Sequence, residues 1–274
     1  MRKILGLLFA STLLACTAAP PPTGELDSPV LAKSTGFRWT NPIDYEWDSS
    51  VTSSMQSDIV TGLQQYTDLT TLTFHHGIEP GRPHIQYTVQ NPYGGNGSYT
   101  DPVDPTTGTT IHFAPSISAR SVVHETGHAL GLSHEQKRPD AANTVSYDIN
   151  CAVEPTQFAT LTGSDVETFG PYDIDSVMEY SSEQGCVKTA SGTGGVNNTG
   201  CVCFPLVTKG HSHTSMSGYI PLSPQLSIED INGLWHMYGP KLGKSEEGDK
   251  LGAAFAVGDF DHDGYDDLAV GAPG

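Results

Sequence analysis

The sequence predicts an α+β fold, with one long amphipathic helix, a group of short strands and two further helices. The first helix is indicated over residues 51–70, where apolar residues recur at the spacing of one helix face: Met55, Ile59, Leu63 and Tyr66. Three short segments then alternate apolar and polar residues, as strands with one buried face do: 70–74, 84–89 and 109–113. From about residue 140 to 218 the chain is rich in Gly, Ser and Thr, which favours loop.

Capping residues mark the ends of the helices. Ser53 or Ser54 can cap the first helix. In the segment SIEDINGLWHMYG, residues 227–239, Ser227 and Asp230 have the spacing of a capping box. An apolar stripe follows within it, so we expect a helix that closes the folded region.

Composition and charge exclude some classes of function. The chain has 274 residues, enough for one large domain or one domain with attachments. It carries 31 acidic residues against 13 Lys and Arg, a formal net charge of −18. Binding to nucleic acid is therefore not expected, because contacts to phosphate need clustered basic side chains. No apolar run after the N-terminal segment is long enough to span a bilayer.

The N-terminal segment has the features of an export signal. Two basic residues precede an apolar run over residues 4–15, as in a secretory signal peptide. The run ends in LLAC, and Cys16 resembles the lipidated first residue of bacterial lipoproteins; an ordinary signal peptide with a chance cysteine is the alternative. Residues 1–15 are thus predicted to be a lipoprotein signal peptide and 16–36 a flexible tether. We expect an exported protein held at the bacterial cell envelope by its lipid alone, with release from the cell as the alternative.

The four remaining cysteines are expected to form disulfides, because an exported chain favours oxidised pairs. They are Cys151, Cys186, Cys201 and Cys203. A bond between Cys201 and Cys203 would close a strained loop. The two pairings that remain both join Cys151 to one of these two cysteines and Cys186 to the other. A zinc cluster of thiolates is the competing interpretation.

The segment SVVHETGHALGLSHEQKRPD, residues 121–140, has the ligand spacing of a catalytic metal site. Residues four apart share a helix face, so His124 and His128 can hold one metal ion, with Glu125 beside it. Gly131 can end the helix in the left-handed conformation and let the chain return with His134. Three imidazoles and one open position are typical of catalytic zinc, which lowers the pKa of a bound water to about 7. Glu125 is then placed to take the proton of that water.

This segment resembles the metzincin pattern H-E-x-x-H-x-x-G-x-x-H. The following Glu135, and EQKRPD as a whole, resemble the astacin family of zinc endopeptidases in particular. A serralysin more often has Pro at this position and carries Gly-rich calcium repeats that this sequence lacks. A solvated helix that happens to be rich in histidine is the alternative without a metal.

A second segment, YDIDSVMEY over residues 172–180, resembles the Met-turn of the astacins. The resemblance implies that Met178 forms a hydrophobic base beneath the zinc. It implies that Tyr180 is an extra zinc ligand that swings away to stabilise the tetrahedral intermediate. Residues 37–240 are therefore predicted to be a metzincin-type zinc protease domain, with a twisted mixed sheet, a zinc helix and the Met-turn. The resemblance further implies that residues 84–89 form the edge strand to which substrate adds.

The sequence departs from the astacin pattern in three places. Glu179 stands where the Met-turn normally has His, which is expected to alter the pocket and leave zinc ligation intact. The family's cysteines near residue 71 and within 91–100 are missing. In the family, the Glu that follows the third His meets the freed N-terminus of the mature enzyme. The predicted tether is too short to contain a proregion of ordinary size. A different partner for Glu135, and an enzyme without a latent zymogen stage, are therefore the alternatives.

After a charged linker at residues 241–250, the segment 251–274 has a different character. Acidic residues at positions 1, 3, 5 and 9 of a tight glycine turn can bind calcium: Asp259, Asp261, Asp263 and Asp267. Val270 at position 12 excludes a standard EF-hand. The segment resembles an FG-GAP repeat, the unit of integrin-type β-propellers, with the calcium loop between two strands. One repeat cannot close a propeller, so a partial β-propeller-type repeat is predicted; an acidic solvated tail is the alternative.

These features predict a zinc-dependent endopeptidase that acts on protein or peptide substrates. One rival is a surface adhesion or binding protein, in which the FG-GAP segment carries the function and the zinc domain is an inactive scaffold. Such a scaffold would be expected to have lost Glu125 or a ligand histidine, and all four are present. Another rival is a serralysin-like metzincin, against which the residue after His134 argues. The natural substrate and the oligomeric state are not indicated by the sequence.

Overall fold

The computed structural model describes residues 31–33, 37–89, 97–162, 166–239, 241, 254–258 and 267–271. The α-helices are α1 (Ser53–Leu69), α2 (Ala119–Leu130) and α3 (Ile228–Tyr238). The strands are β1 (Leu31–Lys33), β2 (Ile43–Trp47), β3 (Phe74–His76), β4 (His84–Thr88), β5 (Tyr99–Thr100), β6 (Gly108–His112), β7 (Val145–Tyr147), β8 (Val166–Thr168), β9 (Leu206–Thr208), β10 (Ala254–Gly258) and β11 (Asp267–Gly271). Short 3₁₀ helices lie at Glu135–Lys137, Ala141–Asn143, Ile149–Cys151, Pro155–Phe158 and Val196–Asn198.

The predicted elements are present with small shifts in their ends. α1 is capped by Thr52, whose hydroxyl accepts a hydrogen bond from the backbone N–H of Met55, and not by the predicted serines. The strand predicted at residues 70–74 is displaced toward the C-terminus and begins at Phe74. Six short strands are not predicted by the sequence: β1, β2, β5, β7, β8 and β9.

Five strands form a mixed sheet in the order β3-β2-β4-β6-β5. The first four strands are parallel, and β5 runs antiparallel to β6. The prediction that residues 84–89 form the edge strand is therefore wrong. β4 lies between β2 and β6 and is hydrogen-bonded on both sides. Alternation predicts which face of a strand is buried, but it carries no information about the strand's neighbours.

α1 and α2 pack on one face of this sheet and on each other, and together they bury the main apolar core. Their approach is close at Gly62, where an added Cβ would lie 2.7 Å from the Cβ of Val122. Two buried hydroxyls anchor α2. Tyr66 of α1 donates to the carbonyl of Val123 at 2.6 Å, and Tyr87 of β4 lies 3.2 Å from the hydroxyl of Thr126. The helix is therefore fixed from two sides.

The segment after α2 is mostly loop, as predicted, and two disulfides cross-link it. Cys151 is bonded to Cys203 and Cys186 to Cys201. This is one of the two pairings left open by the sequence. The antiparallel pair β7–β9 and two small apolar clusters complete this part of the chain. β1 pairs antiparallel with β8.

The C-terminal segment contains the two strands that the sequence predicts. β10 and β11 pair antiparallel, from Ala254 opposite Gly271 to Gly258 opposite Asp267. Asp259, Asp261 and Asp263 lie outside the described residues, and so do Cys16 and the predicted signal peptide. None of the described helices combines the length and the apolar character needed to cross a membrane.

Candidate zinc site

α2 carries the first part of the site and ends where the sequence predicts. Gly131 has φ of 108°, in the left-handed region, and its N–H donates to the carbonyls of Gly127 and His128. Leu132 N–H also returns to the Gly127 carbonyl, at 2.9 Å. This turn reverses the chain and brings His134 back to the helix face that bears His124 and His128.

The three histidines converge through the same ring atom. His134 Nε2 lies 3.2 Å from His124 Nε2 and 3.1 Å from His128 Nε2. Ligands about 2.0–2.1 Å from a tetrahedral zinc ion stand about 3.4 Å from one another, so the spacing fits zinc. Within the described part of the chain, these residues form the one group of three or more His, Cys, Asp or Glu side chains able to hold a metal ion.

Backbone carbonyls orient two of these rings through their Nδ1 atoms. His124 Nδ1 lies 2.8 Å from the carbonyl of Val177, and His128 Nδ1 lies 2.9 Å from the carbonyl of Leu132. A proton on each Nδ1 satisfies these carbonyls and leaves the Nε2 lone pairs for a metal. Burial, and then the neighbouring His128 and Arg120, lower the pKa of His124 well below its usual range. His124 is therefore neutral, as a metal ligand must be.

Glu125 lies one position beyond the first ligand and is almost fully buried. Burial raises its pKa to about 7, and the Thr100 hydroxyl and the Arg120 guanidinium oppose that rise. Its Oε2 is 2.9 Å from the Thr100 hydroxyl. Its Oε1 accepts no hydrogen bond from the residues that the structure describes. A carboxylate in this environment can exchange a proton near neutral pH.

Met178 is fully buried and packs against α2. Contact is possible because residue 127 is glycine: an added Cβ would lie 2.7 Å from Met178 Sδ. The backbone N–H of Glu135 donates to the Met178 carbonyl at 3.1 Å, which ties the residue after the third histidine to the same turn.

Tyr180 packs edge-on against His134, with ring centroids 4.4 Å apart. Burial, and then the charges of Glu125 and Glu154, raise the pKa of its hydroxyl to about 12, so it is protonated and can donate a hydrogen bond. The neighbouring Glu179 is fully buried and has Tyr172 as its partner. The Tyr172 hydroxyl donates to Glu179 Oε2 at 2.5 Å.

Glu135 has a basic partner within its own segment. Its Oε1 lies 3.4 Å from Arg138 Nη1, and both side chains are buried. The same oxygen accepts a hydrogen bond from the backbone N–H of Asp173 at 2.9 Å. Arg138 also donates to the carbonyls of Phe169 and Gly170 and to the Asp140 carboxylate. The structure thus shows a partner for Glu135 other than an N-terminal amine.

Three residues that support the site were not predicted from the sequence: Thr100, Arg120 and Gly127. Gly127 could have been noticed, because a glycine inside a helix lowers helix stability by about 1 kcal/mol relative to alanine and therefore indicates a packing constraint. Arg120 lies in the first turn of α2 and donates to the carbonyls of Ser223 at 2.9 Å and Val177 at 3.4 Å. Nothing in the local sequence around Thr100 indicates that it reaches α2.

Asp230 of α3 is hydrogen-bonded to the segment that contains Met178. It forms the predicted capping box with Ser227. Beyond that, its carboxylate accepts hydrogen bonds from Ser176 Oγ at 2.6 Å and from Val177 N–H at 2.8 Å. The carbonyl of the same Val177 binds His124. Asp230 therefore orients His124 indirectly, through Val177.

Asp230→Ala is expected to lower the free energy of unfolding by about 3–5 kcal/mol, because the donors of Ser176, Val177 and Ser227 lose their acceptor. Zinc affinity should fall about tenfold, since the carbonyl that orients His124 is no longer fixed. Urea unfolding and competition with a zinc indicator measure the two effects. Glu229→Ala, one residue earlier on α3, is the control and should cost less than about 1 kcal/mol. Equal stability of the two variants would contradict the role given to Asp230.

Comparison with known proteins agrees with this geometry. Curated relatives include the zinc metalloproteinase nas-10 of Caenorhabditis elegans, 26% identical over 220 residues, which covers 78% of this chain and 38% of the relative. Zinc metalloproteinase nas-36 of the same organism is 31% identical over 159 residues, which covers 56% of this chain and 25% of the relative. This chain therefore spans between a quarter and two fifths of the length of these relatives.

Solved structures show the same fold. High choriolytic enzyme 1, a hatching enzyme zinc-protease from Oryzias latipes (medaka fish), matches with a TM-score of 0.59 at 16% identity and covers 76% of this chain and 97% of its own. Myroilysin matches with a TM-score of 0.52 at 21% identity and covers 77% of this chain and all of its own. At these identities the likeness concerns the fold alone.

Two family models match the sequence. The FG-GAP repeat model matches residues 251–274. The model of the astacin peptidase family matches residues 32–198, which is more than half of the chain. The chain therefore belongs to the astacin family.

Proposed function

We propose that this protein is a zinc-dependent endopeptidase that cleaves protein or peptide substrates. The observation that carries the proposal is the convergence of three histidine Nε2 atoms, two of them 3.1 and 3.2 Å from the third, beside the buried carboxylate of Glu125. His124, His128 and His134 would hold the ion. Zinc, when bound there, supplies Lewis acidity to a water molecule and to the peptide carbonyl.

Two side chains of the protein transfer the proton and stabilise the negative charge that develops on the substrate. Glu125 takes the proton that the attacking water loses and delivers it to the amine nitrogen of the leaving peptide. The Tyr180 hydroxyl, which is protonated at neutral pH, donates a hydrogen bond to the scissile carbonyl oxygen as negative charge develops on it. Glu125 is buried and bonded to Thr100, and the ring of Tyr180 is partly buried against His134 and Phe158, so little reorganisation is needed at the moment of reaction.

The substrate is proposed to add alongside β5, the last strand of the sheet in the part of the chain that the structure describes. This strand is the antiparallel edge of the mixed sheet, and Thr100 within it touches Glu125. An extended peptide hydrogen-bonded to that edge would place its backbone beside the catalytic carboxylate. Pairing through the backbone selects an extended conformation and leaves selection of the substrate sequence to the side chains around it.

Cleavage of unfolded casein by the full chain tests the proposal. We expect cleavage at internal peptide bonds, its loss after zinc is removed with a chelator, and its return when zinc is added back. Cleavage that persists with no bound metal would contradict the proposed mechanism. A chain that holds zinc and cleaves nothing would favour the adhesion function suggested by the FG-GAP match.

Further properties are proposed from the sequence. The protein is exported and lipid-anchored at the bacterial cell envelope through Cys16, because an apolar run of signal-peptide length ends at LLAC. The C-terminal repeat binds calcium through Asp259, Asp261, Asp263 and Asp267, because their spacing provides several carboxylate oxygens around one turn.

A further inference from the structure

The hydroxyl of Thr100 touches the catalytic glutamate at two points. Thr100 Oγ1 lies 2.9 Å from Glu125 Oε2 and 2.9 Å from the backbone carbonyl oxygen of the same residue. A hydroxyl has one hydrogen to donate and two lone pairs that accept. It can therefore donate to only one of these oxygens at a time.

The strand that carries this hydroxyl is firmly held. Asp101, which follows β5, donates its N–H to the Thr110 carbonyl at 2.9 Å and bonds His112 Nε2 through its carboxylate at 2.9 Å. The Tyr99 ring stacks on that of His112, with centroids 4.4 Å apart. Because Tyr99 and His112 occupy one face of the pair, Thr100 projects from the opposite face, toward α2. These contacts fix β5 and therefore the position of the Thr100 hydroxyl beside Glu125.

We propose that Thr100 is a positioning residue that fixes the side chain of Glu125 for the reaction. Its hydroxyl lies within hydrogen-bond distance of Oε2 and of the backbone carbonyl oxygen of the same residue, so it holds one carboxylate oxygen against the helix that bears Glu125. Oε1, which receives no hydrogen bond from the described residues, is left to face the reacting groups. This inference rests on the proposed peptidase function.

Thr100→Val removes the hydroxyl at nearly constant volume. It should lower kcat for peptide cleavage by about tenfold to a hundredfold, because the lost contact is a hydrogen bond to a charged group that fixes a reacting atom. KM should change by less than about twofold, since the backbone edge that binds substrate is intact. Thr100→Ser keeps the hydroxyl and should retain kcat within about threefold. Thr110→Val, the same substitution on neighbouring β6 where the hydroxyl makes no hydrogen bond with a described residue, should leave kcat unchanged.

A second measurement does not depend on activity. In the full chain labelled with ¹³C at glutamate carboxyl groups, the Glu125 signal is identified by its absence in Glu125→Gln. That signal should move in Thr100→Val and stay in place in Thr100→Ser and Thr110→Val, with zinc content equal in all three. An unmoved signal in Thr100→Val, or equal loss of kcat in the Val and Ser variants, would overturn the proposal. If no variant cleaves peptide while the signal moves as expected, the peptidase function fails and the contact between Thr100 and Glu125 stands.

Discussion

Glu125→Gln is expected to lower kcat/KM for peptide cleavage by about 10²- to 10⁴-fold, the range that a positioned general acid–base contributes. Glutamine has the shape of glutamate and can still accept a hydrogen bond from Thr100, but it cannot take a proton from water. The three histidines are untouched, so zinc should remain bound at about one ion per chain. Rates on a fluorogenic peptide and metal analysis of the purified variant measure both quantities.

Glu79→Gln, in the loop between β3 and β4, removes an equal charge and should keep the wild-type rate. Since the chain is strongly acidic, this control separates the loss of a general base from a change in net charge. Retention of more than about a tenth of the activity by Glu125→Gln would argue for a different proton acceptor. Loss of zinc together with activity would mean that Glu125 supports the metal site and not only proton transfer.

Removal of the Cys151–Cys203 disulfide by the double substitution Cys151→Ala and Cys203→Ala is expected to lower the free energy of unfolding by about 4 kcal/mol. The bond joins residues 52 apart, and the loop-closure model gives about that value for a loop of such length. This is a large share of the roughly 5–15 kcal/mol that stabilises an ordinary domain. Denaturant unfolding in the absence of reductant measures the loss.

The nested disulfide offers an internal comparison. Cys186 and Cys201 are 15 apart, so their double alanine variant should lose about 3 kcal/mol, less than the other pair. The segment that they cross-link is mostly loop, and its apolar clusters are small. The disulfides are therefore expected to be the main restriction on the conformations of this segment in the unfolded chain. A larger loss from the shorter loop would show that contacts of the buried Cys186 and Cys201, and not chain entropy, dominate.

Much of the zinc site could be predicted from the sequence because its geometry is local. Residues four apart, such as His124 and His128, lie on the same face of any α-helix. Gly131 permits the left-handed backbone conformation that returns His134 to them. The capping box at Ser227 is likewise a matter of residues three apart. For these features the covalent chain itself sets the distances, and little freedom is left for the rest of the fold.

Tertiary structure decided what depends on residues far apart in the chain. It placed β4 in the centre of the sheet and gave the edge to β5, a strand of two residues too short for any periodicity to reveal. It chose between two cysteine pairings that are equally compatible with the spacing. It also brought Thr100 to Glu125 and Asp230 to Val177, across 25 and 53 residues. Side-chain spacing along one element specifies local geometry, whereas neighbours across the fold are selected by the packing of all elements together, which no single segment encodes.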